Sequence, residues 1–208
     1  MSVKTAYTSG ARVIAARSMT GLARTRVTPN MLTAAGVTLC AVGAVLVYFE
    51  YRNEVLFFWT GALAFVVGSV LDILDGALAR AGGKQTPFGG FLDSTLDRVG
   101  EGLMLGSIAL VFMRDGQELA LAFAVAAIGG SFLVPYARAK AEGLGIKGDV
   151  GIGSRAERVV VISAGLALAP WGVLPWAIGV LAVTAWFTVL QRILHVRREL
   201  RSSDTANT

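Results

Sequence analysis

The sequence predicts an all-α, polytopic membrane protein, and three observations predict it. The 208 residues are 54% hydrophobic and only 16% charged, where a soluble domain of this size would carry about 25% charged residues. Apolar runs near twenty residues recur along the chain, each long enough as a helix to cross a hydrocarbon core of about 30 Å. The mean hydropathy is +0.63, and the 25 glycines suit close helix packing in lipid, where small residues let backbones approach. The single cysteine, Cys40, lies in an apolar run, which excludes an intrachain disulfide and a cysteine metal cluster.

Residues 1–28 interleave Lys4, Arg12, Arg17, Arg24 and Arg26 with Val13, Ile14, Met19 and Leu22. That pattern predicts an amphipathic juxtamembrane helix on the membrane surface, its cations facing anionic headgroups of membrane lipids. No cleavable signal is expected there, because no uninterrupted apolar run follows the basic residues. Thr28-Pro29-Asn30 then starts the membrane domain, since proline is tolerated in a first helical turn. Six transmembrane helices are expected at about 31–50, 55–79, 89–113, 118–141, 157–171 and 174–194. A Gly/Pro loop at 81–88 separates the second from the third, and the longest polar loop, 142–155, separates the fourth from the fifth. The domain organisation is a surface helix at 1–28, a six-helix domain at 29–196 and a basic, disordered tail at 197–208.

Charge sets the orientation. Seventeen of the nineteen Lys and Arg fall on one side of the predicted topology, leaving only Arg52 and Arg114 opposite. By the positive-inside rule both termini are cytoplasmic in the cell membrane. The net charge of +5 does not imply nucleic acid as a partner, because no basic module interleaved with aromatics is present.

The stretch 72–97 holds four aspartates, Asp72, Asp75, Asp93 and Asp97, inside or beside two apolar segments. One aspartate at the centre of a membrane helix costs about 2.5–3.5 kcal/mol, and intramembrane ionisable groups are functional by default. Asp72 and Asp75 share a helix face at three apart, as do Asp93 and Asp97 at four apart. A short loop makes the two helices antiparallel neighbours, so both pairs meet near the cytoplasmic end. Four converging carboxylates repel one another unless cations bind, and hard oxygen donors suit Mg²⁺ or Mn²⁺. Gly76 and Gly89 leave room for a ligand to approach the backbone, and Arg80, one turn beyond Gly76, can reach a phosphate. The simpler alternative pairs the aspartates with Arg80, Lys84 and Arg98 as interfacial ion pairs, and it leaves the matched spacings unexplained.

The run Asp72-x-x-Asp75-Gly76-x-x-Ala79-Arg80, eight residues, then Gly89-x-x-x-Asp93-x-x-x-Asp97, resembles the full signature of the CDP-alcohol phosphotransferase family. The resemblance covers nearly the whole chain, including the six spans and the surface helix. It implies that Asp72, Asp75, Asp93 and Asp97 hold two divalent metals, Mg²⁺ or Mn²⁺, per active site. Asp97 is implied also to be the catalytic base on the acceptor hydroxyl. Asn30, Asp72, Gly76, Ala79 and Arg80 are implied to bind the nucleotide of CDP-diacylglycerol. A homodimer is implied by the family alone.

The acceptor is read from the second half. Arg138, Arg155 and Arg192 come from three elements near the cytoplasmic face, and Ser131 lies on the fourth span. Arginine forks suit a second phosphate, which favours a phosphorylated polyol over a neutral alcohol. These segments resemble the phosphatidylinositol-phosphate synthase branch of actinobacteria and archaea, which implies inositol 1-phosphate as acceptor and CMP as leaving product. The chain departs from the branch pattern at Pro135, in the order Arg138…Lys140, and at Ser154 and Ala156. Phosphatidylglycerophosphate synthesis from glycerol 3-phosphate is the competing chemistry. From another class, a cation transporter would spread acidic residues through membrane depth or repeat the cluster in both halves, and this chain does neither.

Overall fold

The computed structural model describes residues 28–206 apart from 84, 149 and 152–153. The surface helix expected over residues 1–28 therefore lies, except for Thr28, outside the described residues. All the regular structure is helical: α1 (Pro29–Tyr48), α2 (Glu54–Ala81), α3 (Pro87–Arg114), α4 (Glu118–Gly143), α5 (Arg155–Ala167) and α6 (Leu174–Ala206), with short 3₁₀ turns at Glu50–Arg52 and Ala169–Trp171. Four of these, α1, α2, α4 and α6, are long and apolar enough to cross a membrane, which makes this a multi-pass membrane protein. The amino-terminal half of α3 is too charged to pass the same test, and α5, with 13 residues, rises only about 20 Å.

Local chemistry sets the helix starts. Thr28 caps α1 ahead of Pro29, Asn53 caps α2, and Thr86 caps α3 ahead of Pro87, each side chain accepting from an early backbone N–H. Ser154 starts α5 with a full capping box: it accepts from Glu157 N–H, and the Glu157 carboxylate accepts from Ser154 N–H at 2.7 Å. Helix α6 continues to Ala206, where the sequence reading expected a disordered tail from residue 197. Arg197, Arg198, Glu199, Leu200 and Arg201 are all good helix formers with no Gly or Pro among them, so charge marks this segment as solvated without unwinding it.

The helices close into a ring. Helix α1 packs on α2 and α3, α3 on α4, α4 on α6, α6 on α5, and α5 on α2. The core within it includes Phe65, Met104, Leu105, Ile108, Phe112, Ile162, Leu166, Ile178 and Leu181. The closest approach is α1 against α2, made by two antiparallel glycine pairs. A Cβ on Gly36 would sit 2.8 Å from Gly68 O, and one on Gly43 would sit 2.8 Å from Gly61 O. Seven-residue spacing on both helices puts these pairs on one seam. The seam runs toward the aspartates, since Gly68 lies one turn before Asp72. Helices α2 and α3, expected as packed neighbours, touch only slightly; α1 packs against both, and a cavity separates the end of α2 from the start of α3.

Candidate active site

That cavity encloses about 300 Å³ and is lined by Asn30 and Thr33 of α1, Asp75, Gly76, Ala79 and Arg80 of α2, and Gly89 and Asp93 of α3, with Gln85 and Thr86 from the loop. The volume suits part of a small-molecule ligand. Four of the five residues expected around the nucleotide, Asn30, Gly76, Ala79 and Arg80, thus face one space. The Arg80 guanidinium folds back across Gly76, 3.4 Å from where a Cβ would lie.

Asp72, Asp75 and Asp93 each present a carboxylate oxygen such that all three lie within 4.8 Å of one another. Asp72 and Asp75 are buried, at 8% and 2% exposure. Three converging hard-oxygen donors, two of them withdrawn from water, fit a divalent cation of the Mg²⁺ or Mn²⁺ kind. Asp75 is oriented by Thr33, whose hydroxyl donates to its Oδ2. Sequence reasoning missed Thr33, although it sits three residues after Asn30 and so shares that residue's helix face.

Asp97 lies outside the trio but directly beside Asp72, and Arg155 bridges the two. The guanidinium of Arg155 donates through Nη1 to Asp72 and reaches Asp97 Oδ1 through Nη2 at 2.7 Å. The other Asp97 oxygen accepts from Arg98 at 3.2 Å. A cation from α5 is therefore shared between carboxylates of α2 and α3. One turn further into the membrane, Arg158 makes a two-pronged bridge to Glu101, Nε to Oε1 at 2.6 Å and Nη2 to Oε2 at 2.8 Å. Both are 4% exposed. Sequence reasoning also passed over this pair, whose signal is that each partner lies one helical turn beyond Asp97 or Arg155.

The other acceptor candidates are dispersed. Arg192 donates from Nε to Val150 O at 2.9 Å and from Nη1 to Val134 O, tying the loop before α5 to α4 and α6. Gly151 lets that loop lie against α6: its φ is +121°, and a Cβ would fall 2.5 Å from Thr188 Cγ2. Arg138 pairs with Glu142 at 2.8 Å, and the loop packs over it, since a Cβ on Gly148 would lie 3.0 Å from Arg138 Cα. Ser131 is fully buried in α4, its hydroxyl without a hydrogen-bond partner among the described residues.

A helical membrane scaffold that gathers acidic side chains, a ligand-sized cavity and an arginine fork at one end suits phosphoryl transfer. The profile of the CDP-alcohol phosphatidyltransferase family matches residues 26–194, and the chain belongs to that family of transferases. Among its relatives is the phosphatidylinositol phosphate synthase of Mycolicibacterium smegmatis, 34% identical over 205 residues, which span 95% of this chain and 88% of the relative. The archaetidylinositol phosphate synthase of Methanothermobacter thermautotrophicus is 42% identical over 146 residues, 68% of this chain and 72% of the relative. Crystal structures of Mycobacterium tuberculosis phosphatidylinositol phosphate synthase superpose well. With CDP-DAG bound, the TM-score is 0.78 at 27% identity, covering 88% of this chain and 93% of that one. In complex with manganese and citrate it is 0.76 at 28%, covering 88% of each.

Proposed function

We propose that this protein is a phosphatidylinositol phosphate synthase, transferring the phosphatidyl group of CDP-diacylglycerol to inositol 1-phosphate with release of CMP. The observation that carries the reading is Arg155, whose guanidinium is delivered from α5 into the midst of the family's aspartates and whose fork suits a phosphate. The names of the relatives support the inositol phosphate acceptor. In the bond bookkeeping, the acceptor hydroxyl oxygen bonds to the phosphorus nearer the lipid, the bond from that phosphorus to the CMP oxygen breaks, and the hydroxyl proton leaves to a carboxylate.

Asp72, Asp75, Asp93 and Asp97 would together hold two divalent ions, Mg²⁺ or Mn²⁺, which supply charge neutralisation at the attacking and leaving oxygens. Asn30, Gly76, Ala79 and Arg80 would line the nucleotide side. Asp97 is assigned the hydroxyl proton. Its two oxygens face Arg155 and Arg98, so transfer of Arg155 to the acceptor phosphate would free the carboxylate as it orients the alcohol. Arg138, Arg192 and Ser131 are proposed to complete the acceptor pocket, with Arg192 holding the loop that carries Arg155.

The wider reading is a homodimeric cell-membrane protein with six crossings, α3 and α5 completing the four apolar spans, and a surface helix at 1–28. Both termini and the active site would be cytoplasmic, an orientation supported by the charge asymmetry. The test is CMP release from CDP-diacylglycerol and Mg²⁺ by the purified full-length protein, with acceptors added one at a time. Release with inositol 1-phosphate is expected. Silence with every acceptor, or unchanged release by Asp93→Asn and Asp97→Asn, would end the enzyme reading. Release with glycerol 3-phosphate alone would overturn only the acceptor.

A further inference from the structure

Helices α3 and α5 are not among the pairs whose backbones pack closely. They run in the same direction with their amino-terminal turns at the site, and long side chains join them across the interior in two rungs. The outer rung is Asp97 with Arg155, and the inner one is Glu101 with Arg158. Asp97 and Glu101 are four apart on α3, and Arg155 and Arg158 are three apart on α5, so both rungs can form in only one rotational and axial setting of the two helices. The inner rung has the stronger geometry. Its two forks are matched in parallel, and its members are almost fully buried. A buried ion pair of this kind gives little net stability over a well-packed apolar pair of similar volume. Its defensible use is to fix register.

Arg155 itself is poorly placed to fix its own position. It sits in the first turn of α5, next to the polar loop, and its binding partners are the very carboxylates expected to take up cations. We propose that Glu101 and Arg158 are positioning residues that hold α5 in register against α3, so that the Arg155 guanidinium stays poised for the acceptor phosphate. The pair thereby governs acceptor affinity and leaves donor and metal binding to α1, α2 and α3. This rests on the reading that Arg155 receives the acceptor phosphate.

Removing one partner alone leaves a buried charge uncompensated and can unfold the protein. The decisive variant is therefore the apolar double replacement Glu101→Met with Arg158→Met in the full-length protein. Three equilibria are measured against wild type: inositol 1-phosphate by calorimetry, CDP-diacylglycerol by calorimetry in detergent, and Mn²⁺ by electron paramagnetic resonance. Thermal midpoint and the KM for inositol 1-phosphate accompany them. Loss of one charge-assisted fork predicts roughly a 10- to 100-fold weaker inositol 1-phosphate affinity, with a matching rise in KM. The thermal midpoint and donor affinity should stay near wild type, and Mn²⁺ affinity should hold or rise, since a displaced Arg155 competes less for Asp72 and Asp97.

Acceptor affinity within about twofold of wild type would overturn the proposal, as would equal weakening of all three ligands, which is what a merely structural pair would give. Should the double replacement fail to fold, Arg158→Lys is judged by the same criteria, since it keeps the charge and loses the parallel fork. If wild type binds no inositol 1-phosphate but does bind Mn²⁺ and donor, the acceptor assignment fails and the positioning role falls with it. If wild type binds acceptor and the variants bind it equally well, only the positioning role fails.

Discussion

Thr33→Val tests whether α1 is part of the catalytic apparatus or only a packing partner for it. The replacement keeps the branched shape and removes one donor, leaving the carboxylate of Asp75 without its hydroxyl partner at 2% exposure. Side-chain hydrogen bonds between membrane helices average only about 0.6 kcal/mol, with a maximum near 1.7. Hydrogen bonds to charged groups in proteins are worth about 1.5–3 kcal/mol. Asp75 combines a charged acceptor with deep burial, so the upper end of the membrane range and the lower end of the charged range overlap at roughly 1.5–2 kcal/mol. At about 2–4 °C per kcal/mol for a chain of this size, the metal-free thermal midpoint should fall by roughly 3–8 °C. Saturating Mn²⁺ should recover part of that loss, because a cation on the same carboxylate stabilises the charge that Thr33 otherwise serves. The assay is thermal unfolding in detergent with and without Mn²⁺, run as a cycle with Asp75→Asn to isolate the pair. A metal-free midpoint within 1 °C of wild type, roughly the error of such a scan, would refute the argument. So would full additivity in the cycle.

Three further outcomes are expected. Arg155→Gln removes the cation shared by Asp72 and Asp97, so resting Mn²⁺ affinity should rise by about tenfold even as the KM for inositol 1-phosphate climbs; weaker Mn²⁺ binding would contradict the shared-cation picture. Gly68→Ala places a Cβ 2.6 Å from Gly36 O and 2.8 Å from Cys40 Sγ; the resulting overpacking should cost about 1–3 kcal/mol in thermal stability and reduce CMP release, because α1 carries Asn30 and Thr33 away from α2. On the opposite end of the bundle, burial pushes the Glu50 carboxyl above its ordinary range, against the pull of Arg114. The folded state then binds that proton more readily than the unfolded chain, so Glu50 contributes stability at low pH that is lost as pH rises through its raised value. Glu50→Gln should therefore gain stability relative to wild type as pH rises above the ordinary glutamate range, read from paired thermal midpoints.

What the sequence disclosed follows from which interactions are local in chain. The aspartate pairs at spacings of three and four fall on helix faces by geometry alone, and the short loop between them brings both to one end. The caps Thr28, Thr86 and Ser154 lie beside prolines or a following glutamate, as local rules require. Ser154 also explains a departure from the branch pattern: replacing Glu there supplies the N-cap that seats Arg155 in the first turn of α5. Non-local facts were hidden. That α1 wedges against both α2 and α3 depends on the Gly36–Gly68 and Gly43–Gly61 pairs, whose seven-residue spacing names no partner. Glu101 reads as one more charge near a helix end until Arg158 is found opposite. Arg138, Arg155 and Arg192 could be placed near one face but not assigned separate duties, since anchoring a loop and binding a phosphate draw on the same fork.

The ring topology gives those duties a physical order. The first three helices can assemble the carboxylate cluster by themselves, because α1 is packed against both helices that carry it. The cluster alone is a concentration of negative charge at the edge of an apolar phase, costly to keep ionised and unable to tell one alcohol from another. Helix α5 changes both properties at once. It reaches the cluster through its packing on α2 and through the two arginine rungs to α3, and it brings in a cation that balances Asp72 and Asp97. If Arg155 also receives the acceptor phosphate, as proposed, it must leave these carboxylates to do so. On that proposal, acceptor binding and the release of Asp97 would be one motion of one side chain, so an alcohol lacking a phosphate should find the Asp97 carboxylate still paired. The acceptor series that identifies the substrate tests this too: free inositol should fail through a low kcat at saturation, and not only through a high KM.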